Sequence, residues 1–313
     1  MQGSDLLAVI LIAGPTASGK SGLALRLAEE LGGMVINADA MQVYRELRVL
    51  TARPDAEAEA RVPHALYGTV AAADAYSAGR YVSDVTDALE QARQRGLRPI
   101  IAGGTGLYLK ALTDGLSPIP PIDDEVRTHW RAEAADHGAR HLHGVLAARD
   151  PEMAMRLAPG DTQRIVRALE VLDSTGRSLA EWQRLPGEPL LRETKTVRLL
   201  VAPEREELVR RIDRRFDGMV GEGALEEVQQ LDALGLDPAL PLMGALGVRP
   251  FRRHLAGEIS LEAAIEASKI ETRQYAKRQV TWSRRNMSSW KRLDAQQMEC
   301  SVGQIMHFVQ NAD

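Results

Sequence analysis

The chain has 313 residues, of which 44% are hydrophobic and 26% are charged, and its formal net charge is −4. This composition is ordinary for a globular protein and allows one large domain or two smaller ones. The longest apolar run, Leu6 to Ala13, is far too short to span a bilayer, and no basic residues precede it as they would in a signal peptide. The single cysteine, Cys300, cannot form an internal disulfide. We therefore expect a cytoplasmic protein with no membrane association.

The first third of the chain alternates apolar runs with segments of helical spacing. The predicted elements are strands at 6–12, 34–37 and 98–102 and helices at 22–31 and 80–95. Such alternation is typical of a doubly wound parallel sheet, so we expect an α/β fold. Ligands of these sheets bind at the carboxyl ends of the strands. The loops after the three strands carry Lys20, Asp39 and Thr105, which should therefore converge on one site.

A phosphate-binding pattern lies between the first predicted strand and the first predicted helix. Its residues are Gly14, Pro15, Thr16, Ala17, Ser18, Gly19, Lys20 and Ser21. Glycines let the backbone turn tightly and point N–H groups at a phosphate, and the helix start adds the positive end of its dipole. Lys20 brings a cation to the phosphates, and the Ser21 hydroxyl can ligate Mg²⁺. The pattern predicts a P-loop that binds a triphosphate or a diphosphate with magnesium.

The alternation breaks at the proline-rich residues 117–121 and again at 186–189. The segment between the breaks is charged and mostly helical. We expect an inserted helical domain at residues 117–189 within a P-loop catalytic core formed by residues 1–116 and 190–313. The later predicted elements are a strand at 196–201 and helices at 204–219, 223–234 and 261–285.

The last predicted helix concentrates positive charge on an otherwise acidic chain. Residues 269–292 contain eight basic residues and a single acidic one, Glu271. The basic residues are Lys269, Arg273, Lys277, Arg278, Arg284, Arg285, Lys291 and Arg292. A local basic patch is typical of a surface that binds polyanions, but a solvated helix face carries the same charge. Charge alone leaves both interpretations open.

The loops after the second and third strands also have two interpretations each. Asp39 could position a nucleophile beside the phosphates and accept its proton, or it could cap the segment that follows. The Gly-Gly-Thr-Gly sequence at 103–106 is also what a tight strand-to-helix turn requires.

Seven segments of the chain match one protein family in order. They are residues 14–21, 39–45, 51–54, 76–77, 103–109, 161–170 and 272–279. Together they resemble the tRNA dimethylallyltransferases, also called tRNA isopentenyltransferases. The resemblance covers roughly residues 6–290. Apart from the P-loop, no single segment is specific, and the resemblance depends on all seven segments occurring in this order. It implies a kinase-like P-loop core with a helical insertion that contacts the anticodon arm.

The resemblance implies a reaction. A dimethylallyl group would pass from dimethylallyl diphosphate to N6 of the adenosine that is 3′-adjacent to the anticodon of tRNA. The P-loop would hold the donor's diphosphate with Mg²⁺ as cofactor. Asp39 would be the general base, Arg215 would reach the diphosphate, and Thr105 would lie near the reacting groups. The adenosine would flip out of its stack, and we expect the protein to act as a monomer.

The resemblance also implies a set of residues that contact the anticodon stem-loop. They are Asp39, Ala40, Met41, Gln42, Thr105, Arg127, Gln163, Arg164, Ile165, Val166, Arg167, Arg273, Lys277, Arg278, Arg284 and Arg285. The basic residues at 269–292 then have a partner in the phosphate backbone. Trp282 and Trp290 could stack on bases, although a tryptophan in a helix more often packs.

The chain departs from the family pattern at several positions. Ala40 stands where the family usually has serine, which removes a hydroxyl near Asp39. Arg53 replaces a lysine, which keeps the charge and alters its geometry. Val248 and Pro250 replace a tyrosine and a glutamine, so an aromatic ring and an amide that could contact tRNA are missing.

Three other functions would use parts of the same sequence. A small-molecule kinase would use Asp39 as the base for phosphoryl transfer, but it gives the basic stretch no role. An isopentenyltransferase acting on free adenine nucleotides would share the donor site without anticodon contacts at Gln163, Arg164 and Arg167. A non-enzymatic tRNA-binding or nucleotide-switch protein would need no base at Asp39.

Overall fold

A computed structural model describes residues 7–294 together with 302, 303, 305, 306 and 309. The chain divides into two compact units. The first unit contains Met1–Thr113 and Leu190–Asp313, and the second contains Asp114–Pro189.

The first unit is built on a parallel sheet. Its strands within the described residues are, in chain order, β1 (Val9–Ala13), β2 (Gly33–Asn37), β3 (His64–Ala65), β4 (Arg98–Gly103), β5 (Thr196–Val201) and β6 (Lys291–Leu293). Their order in space is β3-β2-β4-β1-β5-β6, and every pair is parallel. β1, β2 and β4 are buried at every residue, as expected for a parallel sheet covered on both faces. The predicted α/β fold with a doubly wound parallel sheet is confirmed.

Helices connect the strands and form the second unit. In chain order the α-helices within residues 7–294 are α1 (Lys20–Leu31), α2 (Ala56–Arg61), α3 (Ala78–Gln94), α4 (Gly106–Thr113), α5 (Asp124–Arg149), α6 (Pro151–Arg156), α7 (Thr162–Thr175), α8 (Leu179–Trp182), α9 (Arg205–Gly221), α10 (Ala224–Ala233), α11 (Val248–Leu255) and α12 (Leu261–Asn286).

Alternate residues of the strands point to opposite faces of the sheet, and each face has its own core. Ile10 and Ile12 of β1 pack with Leu23 and Leu27 of α1 on one face. Leu11 packs on the other face, in the cluster that includes residues of α3 and α4. Full burial of each such side chain stabilises the fold by about 1.5–3 kcal/mol. The two cores hold the carboxyl ends of β1, β2 and β4 in register.

A third core in the first unit is separate from the two that cover the sheet. Tyr44 and Leu47, from the loop that follows β2, pack with Phe216 of α9, Val228 of α10 and Phe251 of α11. This cluster anchors the loop that carries Asp39 to the helices of the C-terminal half.

The second unit contains α5 to α8 around a core of its own. Leu142 and Leu146 of α5 pack against Ile165 and Leu169 of α7. α5 is kinked at Gly138, whose φ of 75° and ψ of 169° are not helical. The role predicted for this unit in contacting the anticodon arm stays a prediction.

Candidate active site

The P-loop, residues 14–21, leaves the end of β1 and enters α1. Gly19 precedes α1 with a φ of 94°, a conformation that glycine adopts without strain. A Cβ on Gly14 would lie 2.7 Å from the Ser18 Oγ and 2.9 Å from the Val201 carbonyl oxygen, so this position requires glycine. The first amides of α1 therefore lie at the carboxyl edge of the sheet, where an anion can bind.

A cavity of about 330 Å³ lies against the P-loop. It is lined by Thr16, Ala17, Ser18, Gly19, Lys20, Ser21, Gly22, Asp39, Gln42, Thr51, Ala52, Arg211 and Arg215. Three of these side chains are cationic and only Asp39 is anionic, so the cavity suits a ligand with several negative charges. The structure thus brings Lys20 and Asp39 together, as expected for loops at the carboxyl ends of parallel strands.

The charges in this cavity act on one another. Burial lowers the pKa of Lys20 from 10.5 to about 8, while the Asp39 carboxylate opposes this shift and the Arg215 guanidinium reinforces it. Burial also lowers the pKa of Arg215, and Asp39 again opposes the shift. Asp39 therefore does not fully offset the cost of burying these two cations, so an anionic ligand in the cavity would stabilise their charged forms.

The Asp39 loop is held by a buried amide. Asn37 Oδ1 accepts a hydrogen bond of 2.7 Å from the Asp39 N–H, and Asn37 Nδ2 donates to the carbonyl oxygens of Asp39 and Leu66 at 2.9 and 3.0 Å. Asp39 Oδ1 accepts a hydrogen bond of 3.0 Å from the Met41 N–H. These bonds fix the direction of the carboxylate, which a general base needs.

The Gly-Gly-Thr-Gly loop, residues 103–106, packs directly against the Asp39 loop. The Ala40 N–H donates a 2.9 Å hydrogen bond to Thr105 Oγ1, and the Thr105 N–H donates to the Ala38 carbonyl at 3.2 Å. A Cβ on Gly103 would collide with the backbone of Ala38. The structure therefore places Thr105 beside Asp39, although it lines a different cavity, of about 260 Å³. The hydroxyl that a serine would add at position 40 is absent, but the backbone N–H there positions Thr105.

Helix α9 holds the P-loop through two arginines one turn apart. Arg215 Nη2 donates a 2.6 Å hydrogen bond to Thr16 Oγ1, and Arg211 Nη1 donates to the Ser18 carbonyl at 3.3 Å. The resemblance had pointed to Arg215 alone. Arg211 was missed, although its spacing of four residues from Arg215 in a predicted helix is a signal that could have found it.

Helix α12 contributes a face whose contacts with the glycine loop the sequence analysis did not predict. Tyr275, Gln279 and Trp282 recur at helical spacing and contact the glycine loop. Their partners in that loop are Thr105, Gly104 and Gly106, respectively. Trp282 packs on Gly106, where a Cβ would lie 2.6 Å from the indole ring. Burial raises the pKa of the Tyr275 phenol, which stays protonated and can donate a hydrogen bond.

The basic residues of α12 divide into paired and exposed members. Lys269 forms an ion pair with Asp217 at 2.6 Å, and Arg273 pairs with Asp213 at 2.9 Å and Glu266 at 3.0 Å. Arg273 was expected to bind tRNA, but its charge is already used to join α12 to α9. Exposed side chains remain at Lys277, Arg278, Arg284 and Arg285.

Trp290 is 6% exposed and packs in the core, so it is not available to stack on a base.

In the second unit, the predicted tRNA-binding residues also divide into two groups. Ile165 and Val166 are 0% and 9% exposed and their side chains belong to the core, so a tRNA contact at these two positions, which stays a prediction, would involve the backbone. Gln163 and Arg164 are exposed on the first turn of α7. Arg127, in the first turn of α5, and Arg167, in the middle of α7, are half-buried and pair with Asp124 and Glu170, respectively.

The departures from the family pattern have structural explanations. Arg53 Nη1 donates hydrogen bonds to the carbonyl oxygens of Tyr44 and Arg45 at 2.9 and 3.3 Å, so it stabilises the loop after β2. Val248 and Pro250 are buried in α11, so the side chains present here pack within the protein.

Ser21 lies in the first turn of α1 and lines the P-loop cavity. In the described part of the chain, no group of three or more His, Cys, Asp or Glu side chains could hold a metal ion by itself. A cation at this cavity would need most of its ligands from a phosphorylated substrate. No helix among the described residues has the length and apolar character needed to cross a membrane.

Comparison with known proteins gives consistent matches along the chain. The family profile described as IPP transferase matches residues 42–286, and the one described as isopentenyl transferase matches residues 7–67. A tRNA dimethylallyltransferase from Parvibaculum lavamentivorans is 54% identical over 300 residues, which cover 96% of this chain and 95% of the relative. Another, from Bradyrhizobium sp., is 56% identical over 288 residues, which cover 92% of this chain and 94% of the relative.

Solved structures agree with these matches. The full-length tRNA isopentenylpyrophosphate transferase from Bacillus halodurans is 30% identical, with a TM-score of 0.69 and 98% of each chain covered. A eukaryotic dimethylallyltransferase acting on tRNA is 29% identical, with a TM-score of 0.76, and the match covers 92% of this chain and 74% of the other.

Proposed function

The chain belongs to the family of tRNA dimethylallyltransferases, and from this premise we propose that it transfers a dimethylallyl group from dimethylallyl diphosphate to N6 of the adenosine 3′-adjacent to the anticodon. The observation that carries the proposal is the Asp39 carboxylate, which shares one cavity with Lys20 and Arg215. In such a cavity the carboxylate can accept a proton from a nucleophile while the cationic side chains stabilise a diphosphate leaving group.

The P-loop cavity would bind the diphosphate of the donor. As the allylic C–O bond breaks, its electron pair moves onto the diphosphate, which gains negative charge. Lys20, Arg215 and the first amides of α1 would stabilise this charge more strongly in the transition state than in the ground state. Because Arg215 is fixed through Thr16, its guanidinium needs little reorganisation during the reaction.

Asp39 would act on the nucleophile. The exocyclic amine of adenine is weakly nucleophilic because its lone pair is delocalised into the ring. As N6 bonds to the allylic carbon, the amine loses a proton, which the carboxylate accepts. The bonds from Asn37 and Met41 hold the acceptor in place.

The site also fits a magnesium ion. Mg²⁺ is commonly bound by one or two protein oxygens together with substrate phosphates, and Ser21 supplies a hydroxyl to this cavity. When bound, the ion supplies further positive charge to the leaving diphosphate.

Exposed basic and polar side chains of each unit would contact the anticodon stem-loop. Lys277, Arg278, Arg284 and Arg285 are solvent-accessible on α12, and Gln163 and Arg164 are accessible on α7 of the second unit. Contacts to phosphates position an RNA, while the adenosine itself must leave its stack to reach a base such as Asp39.

The test is transfer of radiolabelled dimethylallyl diphosphate to unmodified tRNA in the presence of magnesium. We expect label in tRNA, and we expect Asp39→Ala to abolish most of it. Label in free AMP but not in tRNA would replace the proposal with a nucleotide isopentenyltransferase. ATP-dependent phosphate transfer without prenyl transfer would replace it with a kinase.

A further inference from the structure

The P-loop and the glycine loop leave neighbouring strands, and one side chain spans the gap between them. β1 and β4 pair up to Ala13 and Gly103, after which no strand pairing fixes the separation of the two loops. Gln279 of α12 accepts a 2.9 Å hydrogen bond from the Thr16 N–H at its Oε1, and its Nε2 donates to the Gly104 carbonyl at 2.9 Å. A single side-chain amide therefore joins the two loops.

The chemistry of the two ends selects for an amide at this position. Thr16 offers an N–H donor and Gly104 offers a carbonyl acceptor, so the bridging side chain must accept at one end and donate at the other. A carboxylate has no donor, and an ammonium has no acceptor. Gly104 must lack a Cβ, because a Cβ would collide with Gln279 Nε2.

The bridge connects the two halves of the proposed reaction. Thr16 is held from its other side by Arg215, on the leaving-group side of the site. Gly104 precedes Thr105, whose hydroxyl is bonded to the Ala40 N–H next to Asp39. Gln279 therefore lies between the P-loop, which would bind the diphosphate, and the loop beside the proposed base.

We infer that Gln279 is a positioning residue for prenyl transfer. It sets the distance between the P-loop, which would bind the diphosphate, and the loops that carry Asp39 and Thr105. This inference rests on the proposed function of those loops. Misplacing two reacting groups by about 1 Å can cost on the order of 100-fold in rate, so the bridge acts on kcat rather than on binding of tRNA.

The test compares Gln279→Met, which keeps the volume and loses both hydrogen bonds, with Gln274→Met at an exposed position of the same helix. For Gln279→Met we expect kcat to fall about 10- to 100-fold, with the KM for tRNA unchanged. The control should retain the wild-type kcat. All rates are measured well below the melting temperature, where a purely structural role predicts the wild-type kcat for the folded enzyme.

Hydrogen exchange of the P-loop peptide gives a readout that does not depend on activity. Gln279→Met should speed exchange in this peptide, because the Thr16 N–H loses its acceptor. Gln279→Glu keeps that acceptor and should retain the protection, while its kcat falls because it cannot donate to Gly104.

An unchanged kcat in Gln279→Met, or unchanged exchange in its P-loop, overturns the inference. If wild-type protein transferred no label to tRNA, the proposed function would fail, and the exchange result would still decide whether Gln279 holds the loop.

Discussion

Thr16 and Arg215 are joined by a hydrogen bond of 2.6 Å, so a helix that follows 199 residues later in the chain fixes the side chain at the centre of the P-loop. The same guanidinium lines the cavity that we propose for the diphosphate. The bond orients a planar guanidinium whose N–H donors form a rigid fork, a geometry that the compact ammonium of a lysine does not provide.

Arg215→Lys should therefore lower activity although it keeps the charge. We expect kcat to fall about 100-fold, as for loss of one preorganised donor to a developing anion. Steady-state kinetics with dimethylallyl diphosphate and tRNA measure this. Arg214→Lys, at the exposed neighbouring position, is the matched control and should retain the wild-type kcat. A kcat within a few-fold of wild type for Arg215→Lys would show that its charge alone suffices.

Asp39→Asn should separate chemistry from binding. The amide keeps the shape of the side chain but cannot accept the proton of the amine, so we expect kcat to fall by about 10²- to 10⁴-fold. The Kd for tRNA should change little. Single-turnover transfer and filter binding measure the two quantities, with Asp87→Asn on the exposed face of α3 as the control. Equal losses of binding and rate would assign Asp39 to tRNA recognition instead.

The pKa of Lys20 predicts an alkaline limit to donor binding. In the free protein it is lowered to about 8, so Lys20 is charged below this pH and loses its proton as the pH rises through it. A diphosphate binds the charged form better, so kcat/KM for the donor should fall above about pH 8. Lys20→Arg keeps its charge and should not lose kcat/KM through this ionisation.

The lowered pKa of Lys20 changes the stability of the fold with pH in the opposite direction to donor binding. The unfolded chain binds the Lys20 proton up to about 10.5, whereas the folded chain releases it near 8. Between these values the unfolded state binds more protons, so the contribution of Lys20 to the free energy of unfolding rises with pH. A decrease in donor kcat/KM over this range therefore cannot be attributed to Lys20 destabilising the fold.

Much of the fold could be predicted from the sequence because its central strands are buried on both faces. β1, β2, β4 and β5 are apolar runs, and the order of the strands brings Lys20 and Asp39 together. β3 is only two residues long, and β6 begins with Lys291 and Arg292, so neither forms an apolar run from which a strand could be predicted. α11 was missed because Pro250 falls within its first turn, where proline is tolerated.

The contacts that complete the site could not be predicted in the same way. Arg211 and Gln279 reach the P-loop from helices distant in the sequence. Helical spacing indicates Arg211 only once the resemblance has placed Arg215, and periodicity carries no information about the contact of Gln279 with the P-loop. The resemblance supplied Arg215 and Thr105 but not these supports. It also included Ile165, which the spacing of α7 places on the apolar side. Contacts between residues that lie far apart in the chain could be identified only from the structure.

Neighbouring residues of α7 should respond differently to substitution. Ile165 is fully buried in the second unit, so Ile165→Ala should lower the free energy of unfolding by about 2–5 kcal/mol. The Arg164 side chain is 75% exposed, and Arg164→Ala should change stability by less than about 0.5 kcal/mol while weakening tRNA binding. Chemical denaturation and fluorescence anisotropy measure the two effects. Weaker tRNA binding by folded Ile165→Ala with unchanged stability would contradict the assignment of Ile165 to the core.

The basic residues of α12 should separate into those that bind tRNA and those that hold the helix. Arg284 and Arg285 are exposed, so replacing both with glutamine should reduce the slope of log K against log salt for tRNA by about 2, one for each lost phosphate contact. Arg273→Gln should leave this slope unchanged, because its guanidinium is paired with Asp213 and Glu266. It should instead lower the melting temperature by loosening the contact between α12 and α9. Titration of labelled tRNA at several NaCl concentrations measures the slope. A smaller slope for Arg273→Gln would mean that tRNA displaces the two carboxylates and that α12 rearranges on binding.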